Sequence, residues 1–216
     1  MLFCISLIVF LYALQISKYR IGWDRIKSKC QQVFTPKVSV VIAMRNEEKH
    51  VTRLLSAFKN QIYPADSLEF ILVNDHSTDA TLDLLEKAKQ SNLQIVNMPV
   101  GQFGKKNAIA KAVQIAKGEI ILLSDADCSF TSNWVRTMVS YFSNANVMLV
   151  SGPVNFHKQN SIFQSLQALE FTSLIGSGAG AIGMGNAIFC NGANMAYRKS
   201  VFLELNKKVN FVFGLL

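Results

Sequence analysis

Short apolar runs alternate with amphipathic stretches along most of this chain. Val38-Ser39-Val40-Val41-Ile42-Ala43, Phe70-Ile71-Leu72-Val73, Leu93–Val96, Ile120-Ile121-Leu122-Leu123 and Val147–Val150 are uncharged and rich in β-branched residues. Runs of this kind suit strands buried on both faces of a parallel sheet. Between them apolar residues return at helical spacing: Val51, Leu54, Leu55 and Phe58; Leu82 and Leu85; Ala108, Ile109, Ala112 and Val113; Trp134, Val135, Met138, Val139 and Phe142. Tyr63-Pro64 breaks the first of these helices, Ser77 or Thr78 caps the second, Gly118 stops the third, and Ser132 or Asn133 caps the fourth. Ile162, Phe163, Leu166, Leu169 and Phe171 predict one more helix. Strand and helix thus alternate five times from Val38 onward. That predicts an α/β fold: a mostly parallel, doubly wound sheet flanked by helices, with right-handed crossovers.

The amino-terminal stretch has a different pattern. Met1–Ile16 is apolar except for Ser6 and Gln15, close to the ~17 residues that a spanning helix needs at minimum. Tyr12, Tyr19 and Trp23 suit a membrane interface. The expectation is a transmembrane or membrane-anchor helix over 1–17, a basic juxtamembrane linker over 18–36 and one main domain over 37–216. A packed or interfacial helix is the alternative; a cleaved signal peptide fits worse, since no positive region precedes the apolar run. Leu174–Phe189 is also apolar but rich in Gly and Ala. It reads as a flexible or packed segment beside the site rather than a second span.

Charge supports the membrane reading. Of a formal net +8, Lys18, Arg20, Arg25, Lys27, Lys29 and Lys37 fall together against one Asp24. Placed directly after an apolar helix, they favour a membrane surface over nucleic acid as partner, and they hold the main domain on the cytoplasmic side. The four cysteines, Cys4, Cys30, Cys128 and Cys190, include no C-x-x-C pair, so neither a zinc knuckle nor a disulfide framework is indicated.

Candidate chemistry gathers where strands end. Ile120–Leu123 runs into Ser124-Asp125-Ala126-Asp127, the first strand into Asn46-Glu47, the second into Asp75. Ligands of open α/β sheets bind at the carboxyl ends of strands. Two Asp there make a hard oxygen site for Mg²⁺ or Mn²⁺ carrying a substrate diphosphate. Each acidic group alone has a plainer reading, a polar turn for the Asp pair and a helix cap for Asp75; their convergence on one sheet edge is the signal. Lys105, after the glycine loop Gly101–Gly104 and at a helix start, suits a phosphate. His50, His76 and His157 lack ligand spacing and are given no metal role.

These residues, in this order, resemble the family 2 glycosyltransferases, whose nucleotide-sugar-binding fold is called GT-A. The matching pieces are Val38–Glu48, Phe70–Thr81, Gly104–Val113, Gly118–Cys128 and Cys190–Phe202, and the likeness leans toward membrane-associated processive or lipid-linked members. The resemblance implies an inverting transfer from a nucleotide-sugar, a UDP-sugar foremost, to a polysaccharide, lipid or other acceptor. It implies that Asn46, Glu47 and Asp75 contact the nucleoside and that Lys105 lies near the base or phosphates. Asp125 would approach the ribose or the metal, and Asp127 would bind the divalent ion. Gly192, Asn194 and Arg198 would line the donor-sugar or acceptor side. The chain departs from the family after Arg198. No Glu-Asp pair or Gln-x-x-Arg-Trp motif follows, and Glu204 is the last carboxylate side chain before Leu216. The catalytic base is therefore unassigned, and the acceptor-side half is expected to be missing. The alternative function is a nucleotide-sugar-binding relic acting as an interaction module. A haloacid-dehalogenase-type phosphatase also uses Asp-x-Asp, and Ser129 would suit it, but there the motif ends the first strand rather than the fourth.

Overall fold

The computed structural model describes residues 2–26, 34–88, 90–156 and 161–208. Lys27, Lys29, Cys30, His157 and the segment 209–216 lie outside the described residues. Two compact units result: one from residues 1–28 and 151–191, the other from 29–150 and 192–216.

The second unit holds a sheet of six strands: β1 (Val38–Met44), β2 (Leu68–Asn74), β3 (Leu93–Asn97), β4 (Ile120–Ser124), β5 (Leu149–Ser151) and β6 (Asn194–Arg198). Their spatial order is β3-β2-β1-β4-β6-β5. The pairs β1–β2, β1–β4 and β2–β3 are parallel, whereas β6 runs antiparallel to β4. The mostly parallel sheet is as expected. The inserted β6 is not: the fourth and fifth predicted strands are separated by a strand drawn from far along the chain.

Side-chain alternation divides the core in two. Val40, Ile42, Phe70, Leu72, Ile120 and Leu122 face Val51, Leu54 and Phe58 of α2 (Glu48–Lys59) and Val135, Met138 and Val139 of α5 (Trp134–Ser140). Val41, Ile71, Val73, Ile121 and Leu123 face Ala108, Ala112 and Val113 of α4 (Lys105–Ile115). Because β1, β2 and β3 end in register at Met44, Asn74 and Asn97, the residues that follow them share one edge. α3 spans Thr81–Glu86 and α7 spans Lys199–Lys208; Glu204 lies on α7.

The first unit pairs α1 (Leu2–Arg25) with α6 (Ile162–Gly183). α1 runs further than a helix ending at residue 17, so the basic stretch begins inside it. Of the flexible or packed segment expected from Leu174, the part up to Gly183 continues α6 and is packed. Gly178, Gly180 and Gly183 are there for close contact rather than flexibility. A Cβ on Gly180 would stand 2.2 Å from the Tyr19 carbonyl oxygen, and one on Gly183 would stand 1.9 Å from that of Gly22. The Ser161 hydroxyl caps α6 by accepting from the Gln164 N–H at 3.2 Å.

Candidate functional site

The loops after β1 and β2 are laced to one another. Asn46 and His76 both adopt left-handed backbone, φ 57° and 56°, a conformation that Asn tolerates better than His. The Asn46 carboxamide oxygen accepts from the Thr78 N–H at 2.8 Å, and the Asn46 N–H donates to the Ser77 hydroxyl at 3.0 Å. The Glu47 N–H donates to the Thr81 hydroxyl at 2.7 Å. Asn46 therefore braces the site, its amide oxygen already engaged. α3 starts later than the Ser77 or Thr78 cap would place it: Asp79 accepts from the Thr81 N–H at 3.0 Å.

This leaves Asp75 free of any capping duty. Its side chain is buried, with 4 % of the residue exposed. One oxygen, Oδ2, accepts from the Gly104 N–H at 2.9 Å; Oδ1 is buried and has no hydrogen-bond partner among the described residues, with His76 Nε2 4.0 Å away. A buried acceptor without a donor is expensive, on the order of 1–3 kcal/mol, unless a ligand supplies one. Gly104 meets Asp75 through backbone at φ 94°, a left-handed conformation that favours glycine. His76 holds the same loop from the side: Nε2 lies 3.0 Å from the Gln102 carbonyl, and its ring packs on Phe103 with centroids 4.4 Å apart.

Lys105 opens α4, and its ammonium bonds Asp125 Oδ1 at 2.5 Å. Asp127 is exposed, but its carbonyl accepts from Arg53 Nη2 at 2.5 Å. Arg53 also contacts His50 Nδ1 at 3.3 Å, and His50 Nε2 is 3.8 Å from Glu47 Oε2. Burial pushes the Glu47 carboxyl above its usual range; His50 opposes this, and Asp127, Asp125 and Asp79 add to the rise. Glu47 thus stands close enough to Asp125 and Asp127 to be repelled by both. Arg53 was not foreseen. Its only trace in the sequence is the i, i+3 spacing of Glu47, His50 and Arg53, which places them on one side of α2.

Among the described residues no group of three or more His, Cys, Asp or Glu side chains forms a metal cage. The donor set at Asp125 and Asp127 nonetheless fits a divalent ion. Magnesium-like ions are held by one or two carboxylates and complete their shell with substrate phosphates and water.

β6 brings the remaining candidates. Ser124 pairs with Asn194, and the Ser124 hydroxyl donates to the Ala193 carbonyl at 2.6 Å, so residues 192–194 lie beside the start of the Asp pair. A Cβ on Gly192 would meet nothing within 4 Å, and Asn194 Oδ1 accepts from Trp134 Nε1 at 2.9 Å. Arg198 is not brought to this edge, which corrects the expectation that it lines the donor-sugar or acceptor side. Because β6 is antiparallel, Arg198 pairs with Ile120 at the far end of β4, roughly 13 Å away along the strand. Its guanidinium donates to the carbonyls of Phe142, Asn144 and Val147 at 2.9, 3.2 and 3.0 Å, a structural role. A cavity of about 270 Å³ that includes Lys37, Glu69, Asn92 and Lys117 also sits at the amino-terminal strand edge, away from this chemistry.

The model of the family described as glycosyl transferase family 2 matches residues 39–205. The chain belongs to glycosyl transferase family 2. Among its curated relatives, a probable glycosyltransferase of Bacillus subtilis is 34% identical over 139 residues, 62% of this chain and 30% of the relative. A poly-beta-1,6-N-acetyl-D-glucosamine synthase of Staphylococcus epidermidis is 30% identical over 172 residues, 76% of this chain and 40% of the relative. This family member therefore spans well under half the length of either. Among solved structures, a mannosyltransferase from Pyrobaculum calidifontis in complex with GDP-Man and Mn²⁺ shares the fold at TM-score 0.69 and 21% identity, over 93% of this chain and 56% of that one. TarS of Staphylococcus aureus in complex with UDP-GlcNAc does so at TM-score 0.55 and 22% identity, over 79% and 47%. The GT-A architecture of the family member is thus shared with both.

Proposed function

We propose that this chain carries the donor-binding part of a metal-dependent, inverting glycosyltransferase that moves a sugar from a nucleotide-sugar to a polysaccharide, lipid or other acceptor. The observation that carries the reading is the buried Oδ1 of Asp75, without a hydrogen-bond partner among the described residues, on the strand edge that also holds Asp125 and Asp127. Uracil and guanine both present an imino N–H, and this oxygen is an acceptor suited to it. A UDP-sugar is the first candidate, in keeping with relatives that use or bind N-acetylglucosamine donors.

Each residue then has a task. Asp75 reads the base, while His76 and Phe103 wall the same loop. The first turn of α4 offers backbone N–H groups and the Lys105 ammonium to the diphosphate. Lys105 is about half exposed in its pair with Asp125, so exchanging that partner for a phosphate costs little. Asp127 and Asp125 would hold a Mn²⁺ or Mg²⁺ ion, whose chemistry is to neutralise charge growing on the departing nucleoside diphosphate. Arg53 holds the backbone of Asp127 in place. Gly192 leaves open space beside the Asp pair for a sugar, with Asn194 fixed next to it. α1, with Lys18, Arg20 and Arg25, attaches the chain to the cytoplasmic face of a membrane.

Calorimetric titration of the full chain in detergent with UDP and Mn²⁺, beside Asp127→Ala, tests the donor site. Metal-dependent binding that the substitution abolishes supports it; no binding by folded protein overturns it. Turnover of the donor then separates a transferase from a binding module that lacks catalysis.

A further inference from the structure

α1 is apolar from Phe3 to Ile16 except for Ser6 and Gln15, and every residue of that stretch is exposed. α6 is the second exposed apolar element. Ile162, Phe163, Leu166 and Leu169, at i, i+1, i+4 and i+7, form one stripe and are 83%, 68%, 59% and 64% exposed. Glu170 is the one charged residue in its 22.

The two helices run in the same direction. Tyr19 meets Gly180, Gly22 meets Gly180 and Gly183, and the Arg25 guanidinium reaches the Met184 sulfur at 3.6 Å. The numbers rise together on both partners, and the glycine contacts bring backbone against backbone.

The connections of α6 limit its direction in a bilayer. β5 ends at Ser151, β6 begins at Asn194, and these strands are neighbours in the sheet. Only residues 152–161 and 184–193 link α6 to them. As a span, α6 would rise about 33 Å, and one of these links would have to recross about 30 Å of hydrocarbon. A non-helical link there leaves its backbone N–H and C=O groups without partners, at several kcal/mol each. α6 therefore does not cross a membrane. α1, by length and composition long enough to span, is packed against it in parallel.

We propose that α1 and α6 lie side by side in the plane of an anionic bilayer surface as a two-helix pad, with α1 interfacial instead of transmembrane. Two apolar helices make a broader footing than one. Lys18, Arg20 and Arg25 are exposed on α1 and complement acidic headgroups, which fixes the occupant as lipid bearing negative charge. This rests on the membrane attachment proposed above and replaces a span with a surface contact.

The test uses inverted membrane vesicles from bacteria expressing the full chain with a protease-cleavable tag before Met1. The chain is expected to float with the vesicles and to lose its tag to external protease without detergent. Phe163→Glu with Leu166→Glu, both at exposed positions, is expected to lower the vesicle-bound fraction about tenfold. Flotation with a tag protected until detergent is added overturns the in-plane arrangement and leaves attachment standing. Undiminished flotation of the double variant overturns the role of α6. Failure of the folded parent chain to float overturns attachment itself.

Discussion

Asp75→Asn separates donor reading from folding at a single position. The substitution keeps size and shape. The amide oxygen can take over the 2.9 Å bond from the Gly104 N–H, so the glycine loop stays in place. The amide nitrogen then occupies the position of the buried oxygen that has no partner. An imino N–H of uracil or guanine, which met an acceptor, now meets a donor. Losing a hydrogen bond to a charged group and leaving a buried donor unpaired together amount to about 3 kcal/mol, roughly a hundredfold in affinity. Cytosine and adenine present a ring acceptor at the equivalent edge, so the variant should bind CDP or ADP better than the parent does. Stability should hold or rise by about 1 kcal/mol, because a carboxylate buried without full partnering is replaced by a neutral group. Calorimetry with UDP, GDP, CDP and ADP, beside urea unfolding, reads both sides. Unchanged UDP affinity would refute base reading by Asp75. A stability loss above about 2 kcal/mol would show that Oδ1 has an internal role.

Other substitutions probe different joints. Arg53→Lys should weaken Mn²⁺-dependent UDP binding about tenfold while leaving binding without metal unchanged, since the lost contact is to the Asp127 carbonyl; equal loss in both conditions would argue against that role. Glu47→Gln should alter the pH dependence of stability. The raised carboxyl favours the folded state below its ordinary value of 4.5 and loses that advantage as pH climbs through the raised one. The variant should therefore gain on the parent between acidic pH and pH 7 in urea midpoints, and a constant difference would contradict the crowding of Glu47. Gly118→Ala would put a Cβ 2.4 Å from the Ser39 backbone nitrogen and should destabilise by about 2–3 kcal/mol in chemical denaturation; a change below about 0.5 would show that β1 and the start of β4 can part freely.

Strands β1, β2 and β4 were legible in the sequence because burial on both faces writes an apolar run, whereas β3, nowhere fully buried, was legible only from its Leu, Ile and Val. β6 was not: of Asn194-Met195-Ala196-Tyr197-Arg198 only Ala196 and Tyr197 are buried, too few to mark a strand. The glycines of α6 left a flexible and a packed segment both open for a related reason. Glycine weakens an isolated helix, and only the partner helix shows why Gly180 and Gly183 have no side chain. At the site, the strand-end carboxylates were readable because parallel strands deliver their carboxyl ends to one edge. Arg198 went astray when that rule met an antiparallel strand. Arg53 was missed because a helix-surface arginine looks the same whether it faces water or a carbonyl from a distant loop.

The late arrival of β6 bears on how the chain folds during synthesis. Strands β3, β2, β1 and β4 can assemble once residue 124 has been made, but the free edge of β4 must wait until residue 194 for its neighbour. β5 is synthesised in the interval, and it pairs with β6 and not with β4. Until α6 has been traversed, the nascent domain presents an unpaired strand beside the Asp125–Asp127 turn, open to edge-to-edge association. Closing that edge requires a long-range pairing, which makes it the slow step of assembly. A ribosome stalled between β5 and β6 would hold a nearly complete sheet with its aggregation-prone side uncovered.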